Sequence, residues 1–325
     1  MKSIIVTKNE ADQRLDKLLA KYLNKAPKSF LYKMLRKKNI TLNGKKADGS
    51  EKLSQNDEIK LFLADETIEK FSEISVQEVS EKIDIIYEDS NILIINKEVG
   101  MLSQKAEKDD VSLVECIISY LLASNQITRE ELRSFKPSIC NRLDRNTSGI
   151  VVAGKTLVGL QTMAELFKSR SIDKYYQCIV KGQIREEQLI EGYLKKDDNT
   201  NTVTISPKPF EDADYIKTFY EPMRSNNEFT LLRVKLITGR THQIRAHLQS
   251  IGHPIIGDFK YGHRAVNERM KKEFGLSNQL LHAYQLRFPR IEGECSNLTE
   301  LEITAKRPKQ FDVILHKLIG DTTVS

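Results

Sequence analysis

The chain has 325 residues, 39% hydrophobic and 30% charged, and no run of about 18 apolar residues that could span a membrane. Its four cysteines, Cys116, Cys140, Cys178 and Cys295, are scattered, which excludes a CxxC redox pair, a zinc knuckle or a dense disulfide framework, and the six histidines form no HExxH. The net charge of +6 is local: residues 1–70 hold 16 Lys and Arg against 10 Asp and Glu, while the remainder balances at 35 against 35.

A basic excess confined to a fifth of the chain suits a polyanion partner, with an ordinary solvated surface as the alternative. The N-terminus lacks the apolar core of a secretion signal, so a cytoplasmic protein with no membrane association is expected. Residues 9–24 predict a helix capped by Asn9, with Asp12 in its first turn and Leu15, Leu18, Leu19, Tyr22 and Leu23 on one stripe. Arg14, Lys17 and Lys21 recur on another face. A second helix, capped by Ser29, turns Phe30, Leu31, Met34 and Leu35 inward and leaves Lys33, Arg36 and Lys37 to solvent. Ile40–Leu42, the turn pair Asn43-Gly44 and Lys45-Lys46 predict a hairpin, closed by a strand through Ile59, Leu61 and Leu63. This makes residues 1–65 one small α/β unit. Residues 66–81 are acidic and without strong periodicity, and are expected to be a linker to a unit spanning 82–325.

Beyond residue 82 the pattern alternates without regular βαβ spacing. Strands are expected at 83–87, 92–95, 150–153, 176–180 and 229–237, and helices at 111–122, 157–169 and 241–250. The fold class expected is α+β with a mostly antiparallel mixed sheet.

Two stretches could carry chemistry. Asn141-Arg142-Leu143-Asp144-Arg145-Asn146-Thr147-Ser148-Gly149 puts a carboxylate between two arginines just before an apolar strand. A carboxylate kept ionised in a cleft can act as nucleophile or base; a surface turn with a local salt bridge is the bland alternative. In Gly239-Arg240-Thr241-His242-Gln243-Ile244-Arg245, the glycine allows a tight entry into a helix whose first amides could meet an anion, and His242 and Arg245 are i, i+3 neighbours. The histidines lack carboxylates at ligand spacing, so no metal is expected. Tyr176 shares a strand face with Cys178 and Val180, and is either a core tyrosine or a stacking surface for a base.

Taken together these motifs resemble the RluA-type pseudouridine synthases. Asn141–Gly149 is similar to that family's HRLDRxTSG signature, Lys174–Gly182 to its KxYxAxVxG strand, and Gly239–Tyr261 to its GRTHQIRAHLQSIGHPIIGDFKY run, with Leu281-His282-Ala283 following in order. The first 65 residues resemble the alpha-L RNA-binding module. The chain departs at Asn141, where His is usual, at Glu98, where Pro is usual, and at Ser103-Gln104, where His-Pro is common.

The resemblance implies an isomerase that converts uridine to pseudouridine in RNA, expected to be large-subunit (23S) ribosomal RNA, without cofactor or metal and as a monomer. It implies that Asp144 attacks the uridine, that Tyr176 stacks on the flipped base, and that Arg245 holds the aspartate. Attack on sugar or ring, and a glycal route, stay open. Arg142, Arg14, Lys17, Lys21, Lys33, Arg36, Lys37, Lys45, Arg240 and His242 are the expected RNA contacts. A non-catalytic RNA-binding assembly factor is the alternative.

Overall fold

The computed structural model describes residues 1–73 and 79–320. Its N-terminal sheet is β1 (Lys2–Ile5), β2 (Ile40–Leu42), β3 (Lys45–Lys46) and β4 (Glu58–Leu61), in the order β1-β4-β2-β3. Asn43 and Gly44 have φ of 50° and 71°, the left-handed pair that a two-residue hairpin demands. Helices α1 (Leu15–Tyr22) and α2 (Lys28–Arg36) cover the sheet with Leu15, Leu18, Leu19, Leu31, Met34 and Leu35 inward.

The first helix is shorter than its apolar stripe suggests. Asp12 sits at φ 63°, which no α-helix accommodates, and its amide pairs with the Leu53 carbonyl. Arg14 therefore takes the N-cap position, while the Asn9 side chain caps nothing here and instead accepts the Leu157 amide at 3.0 Å. Helix α2 likewise starts one residue before Ser29, after Pro27. The expected linker also begins too early. Residues Asp65–Phe71 form α3, with Ile68 buried in the N-terminal core and the Phe71 ring 4.6 Å from that of Phe30. Only those two apolar side chains face inward, so the segment shows little periodicity. Part of the remaining acidic stretch, 74–78, lies outside the described residues.

Among the described residues the second sheet has eleven strands: β5 (Asp84–Glu88), β6 (Ile92–Lys97), β7 (Ser138–Ile139), β8 (Ser148–Gly154), β9 (Asp173–Lys181), β10 (Gln188–Asp197), β11 (Thr202–Ser206), β12 (Asp214–Ser225), β13 (Phe229–Leu236), β14 (Leu281–Arg287) and β15 (Glu302–Thr304). They run in the order β11-β10-β12-β13-β9-β14-β8-β6-β5, with β15 beside β14 and β7 beside β8. Every pairing is antiparallel except β14 with β8. The α+β expectation holds.

Both faces of the sheet's centre are covered, which is why its strands read as continuous apolar runs. Leu93, Ile95, Val151 and Ala153 face α4 (Leu113–Ala123) and α6 (Gln243–Ser250); Ile92, Ile94, Ile150 and Val152 face Met163 of α5 (Leu157–Lys168). Helices α7 (Arg264–Phe274) and α8 (Lys309–Ile319) close a further cluster around Ile179 and Phe229.

The two units meet through polar contacts. Ser134 Oγ donates to the buried Glu10 carboxylate at 2.7 Å, and the Tyr22 hydroxyl donates to Glu130 at 2.6 Å. These fasten the N-terminal unit to the segment between α4 and β7, and the Asn9–Leu157 bond fastens it to the start of α5. The other end of α5 lines the cleft described next; 12 residues at 1.5 Å each put the two about 18 Å apart.

Candidate active site

The Asn141–Gly149 motif is the loop between β7 and β8 together with the first two residues of β8, and its backbone is fastened at several points. Asn141 accepts the Val152 amide at 2.8 Å and donates to the Ile150 carbonyl, so asparagine suffices where the resemblance would place histidine. Ser103, buried, both donates to the Leu143 carbonyl (2.7 Å) and accepts the Leu143 amide (3.1 Å). The residue before Asp144 is thus gripped from both sides of its backbone. Lys97, only 1% exposed, donates to the carbonyls of Glu98, Met101 and Arg145 at 2.8–3.1 Å, so its three protons all find acceptors. Burial pushes this ammonium down to about 8, against the opposing pull of Asp144's charge. Gly149 ends the loop at φ +116°, and a Cβ there would collide with the Ala283 backbone; glycine lets β14 lie parallel against β8 at this point.

Asp144 does not find its partner among the flanking arginines. Arg145 turns away and donates to the Gly100 carbonyl at 3.0 Å. The partner is Arg245, 101 residues on, whose Nη1 donates to Asp144 Oδ2 at 2.9 Å. Arg245 is itself held by Asp258, a residue that sequence pattern alone does not single out: Nε donates to Oδ2 at 2.7 Å and Nη2 to Oδ1 at 3.0 Å. Asp258 is fully buried and also accepts the amides of Lys260 and Tyr261. Burial alone would raise its carboxyl, but Arg245 and those amides outweigh it and hold the carboxyl below the usual range.

His242 Nε2 lies 3.8 Å from the same Asp144 Oδ2. Burial lowers the imidazole below its ordinary value; Asp144 opposes this and Arg245 reinforces it. The Tyr261 hydroxyl accepts the Val203 amide at 2.9 Å and lies 2.9 Å from His242 Nδ1. Assigning the hydroxyl's one proton to Nδ1 puts the ring proton on Nε2, facing Asp144. Both neighbours therefore address Oδ2, and Asp144 Oδ1 has no donor among the described residues. The helix start expected to receive an anion is otherwise arranged. His242 is in the left-handed region at the N-cap of α6, and the Gln243 amide returns to the Arg240 carbonyl.

Tyr176, on β9, is 8% exposed and packs in the same cluster as Leu143 and Ile244. Its ring also lines the cleft, and its hydroxyl bonds to no described residue. Burial, and secondarily the Asp144 charge, push its phenol far above the usual tyrosine range, so the hydroxyl keeps its proton. Such a group can stack or donate, and is a poor base.

The cleft has a volume of about 780 Å³. Lys105, Arg142 and Arg145 line one side, Lys168, Arg170 and Lys174 another, and Lys196, Arg240 and Arg245 the rest; Asp144 is the sole acid among its lining residues. Charge counting hid this, because the unit balances overall. Lys174 is pushed below its ordinary value by burial and then by Arg170. Among the expected RNA contacts, Arg142 is exposed at this cleft, while Arg240 pairs with Asp214 at 2.8 Å. On the N-terminal unit, Lys17, Lys21, Lys33, Arg36, Lys37 and Lys45 are all exposed, whereas the Arg14 guanidinium is committed to Asp16 by two hydrogen bonds. Among the described residues no cluster of three or more His, Cys, Asp or Glu could hold a metal, and no helix is long and apolar enough to cross a membrane.

A single acid ringed by cations and backed by an aromatic ring is suited to a phosphate-bearing substrate whose reacting part is flat. The family model described as RNA pseudouridylate synthase matches residues 91–250, and that of the S4 domain matches 13–59. An uncharacterised RNA pseudouridine synthase of Mycoplasma genitalium is 34% identical over 292 residues, covering 89% of each chain. The chain belongs to the RNA pseudouridine synthases. The ribosomal large subunit pseudouridine synthase C of Escherichia coli is 30% identical over 298 residues, covering 89% of this synthase and 88% of that one. In fold, the synthase resembles human RNA pseudouridylate synthase domain containing 4, with a TM-score of 0.56 and 24% identity over 72% of this chain and 92% of that one. It is an isomerase acting on RNA, with an S4 domain ahead of its catalytic unit.

Proposed function

We propose that the synthase isomerises uridine in large-subunit ribosomal RNA, with Asp144 as the attacking group and the target base flipped into the cleft. The observation that carries this is the isolation of Asp144 as the sole acid lining a basic cleft among the described residues, with Oδ2 held by Arg245 and Oδ1 without a donor among them. Uridine stacked in a helix is beyond the reach of a carboxylate at the base of a cleft, so the nucleotide leaves the stack at a cost of a few kcal/mol. Tyr176 offsets this by stacking, about 1–3 kcal/mol per base. The lining cations take the flanking phosphates, and Arg142 at the rim holds the extruded strand.

Arg245 positions the carboxylate and limits its motion to rotation about the Oδ2 contact. Oδ1 then forms the bond to the uridine, the glycosidic bond breaks, the uracil turns, and carbon five closes onto the sugar; the Asp144–uridine bond breaks again, the proton on carbon five leaves and N1 takes one up, so product and substrate have the same composition. The S4 domain adds phosphate contacts some distance from the chemistry. The ribosomal substrate implies a cytoplasmic enzyme, and one copy holds the whole site, consistent with a monomer.

The test pairs mapping with catalysis. Large-subunit RNA from cells with and without the gene should differ at one or more pseudouridines. Asp144→Asn should fail to restore them while binding the RNA with near-native affinity. Restoration by the Asn variant would remove Asp144 from the chemistry, and an unchanged ribosomal map would move the substrate to another RNA.

A further inference from the structure

Arg245 is a wall shared by two cavities. On its far side from the main cleft lies a second hollow of about 410 Å³, lined by Asn146, Arg245, Phe259, Lys260, Ser277 and Gln279. Phe259 is 57% exposed, the most exposed aromatic ring among the described residues. A single exposed apolar residue is ordinary on a protein surface. This one stands on the rim of the catalytic site, beside cations, on a turn that is firmly held.

The turn is built by Asp258. Its Oδ1 accepts the amides of Lys260 (2.9 Å) and Tyr261 (3.0 Å), its carbonyl accepts that of Gly262 (2.8 Å), and Asn267 accepts the Gly257 amide at 2.9 Å. The backbone on both sides of Phe259 is therefore bonded, and the ring is presented rather than left loose. Asp258 also fixes Arg245, so one carboxylate sets the positions of the catalytic guanidinium and the exposed ring. The hollow is also lined by Asn146, two residues from Asp144 and equipped with an amide edge. Lys260, whose ammonium donates to the Asn201 carbonyl at 2.6 Å, adds positive charge. A flat apolar surface, an amide and a lysine, separated from the proposed nucleotide cleft by Arg245, match the chemistry of one more nucleotide.

We infer that this hollow is a second nucleotide subsite, in which Phe259 stacks on a base next to the flipped uridine and so helps choose which uridine is modified. This rests on the flipped-base geometry proposed above. It makes Phe259 a specificity-determining residue that touches RNA but takes no part in bond making.

The experiment uses the full chain and a large-subunit RNA fragment carrying a uridine that the wild-type enzyme converts. That conversion checks the proposed function independently, before any variant is scored. kcat/KM is then measured for wild type, Phe259→Ala and Phe259→Tyr on the intact fragment and on fragments made abasic, one position at a time, at the two nucleotides on either side of the target. One base-on-aromatic stack corresponds to about a 5- to 150-fold effect. Phe259→Ala should lose that much on intact RNA, mainly in KM, and Phe259→Tyr should retain most of it. At one flanking position the abasic RNA should lower wild type to the level of Phe259→Ala, with no further loss in that variant, the signature of a direct pair. An unchanged kcat/KM for Phe259→Ala would overturn the inference. So would a loss that stays undiminished on every abasic fragment, since the ring would then act through the protein alone.

Discussion

Replacing Asp258 by Asn removes a charge and little volume, which isolates what that charge does for Arg245. The pair is buried, with Arg245 7% and Asp258 0% exposed, and joined by two hydrogen bonds of 2.7 and 3.0 Å. Breaking a buried pair from one side costs about 3–5 kcal/mol, because the remaining ion stays desolvated. Asn keeps an oxygen at Oδ1 for the Lys260 and Tyr261 amides and for Arg245 Nη2, but its NH2 opposes the Arg245 Nε–H. At about 2–4 °C per kcal/mol for a domain of this size, the melting temperature should fall by roughly 6–20 °C, leaving a folded protein at 25 °C. Asp144 would then be the one charge paired with Arg245, which would shift toward it and draw it from its place. A displacement near 1 Å is enough to cost about 100-fold in the chemical step. The assay is single-turnover conversion at 25 °C, beside melts of both proteins. A native rate with a lowered melt would make Asp258 a stability residue only, and a native rate with a native melt would refute the coupling altogether. The pH sign is also fixed. A carboxyl held below its ordinary range stabilises the fold fully above pH of about 4, and that contribution disappears as pH falls through the lowered native value. The Asn variant should lose less stability than wild type across that acid window.

Tyr176→Phe should keep most of the binding and turnover, whereas Tyr176→Leu should lose about 1–3 kcal/mol in RNA affinity by filter binding; equal losses would shift the weight to the hydroxyl. Lys97, at about 8 when folded, binds fewer protons there than in the unfolded chain between pH of about 8 and 10.4, so wild-type stability should rise with pH across that window relative to Lys97→Met. Parallel pH dependence of the two melts would show that the shift is absent. The double charge reversal Lys33→Glu, Lys37→Glu should reduce the slope of log affinity against log salt by about 1.4–1.8, if each lysine meets a phosphate, and leave single-turnover rates at saturating RNA unchanged.

The N-terminal hairpin was legible because Asn43-Gly44 is a local signal, and the buried helices because their apolar spacing is local too. The start of the first helix was not, since Asp12's left-handed backbone answers to Leu53, forty-one positions away. Strands β10, β11 and β12 escaped for a different reason. Their inward positions include Gly192 and Thr218 as well as Ile190, Leu194 and Ile216, and β12 is broken by a bulge between Pro222 and Arg224. At the site, the family resemblance singled out Asp144 and set Arg245 beside it, whereas charge pattern alone suggested Arg142 and Arg145 as the carboxylate's neighbours. Topology overrides adjacency when the motifs lie on different elements. Asp258, Ser103 and Lys97 carry no periodic or compositional mark; their importance lies in which backbone groups they bond, and only the folded chain shows that.

If uridine is isomerised at Asp144 as proposed, the ring of cations around it has a consequence after the bond has formed. Isomerisation alters neither the charge nor the phosphates of the RNA, so the lysines and arginines of the cleft grip product as firmly as substrate. Attraction of that kind is uniform along the reaction and does nothing to speed it. Departure of the modified strand is then a natural slow step. Moderate salt should therefore quicken repeated turnover even while it weakens binding.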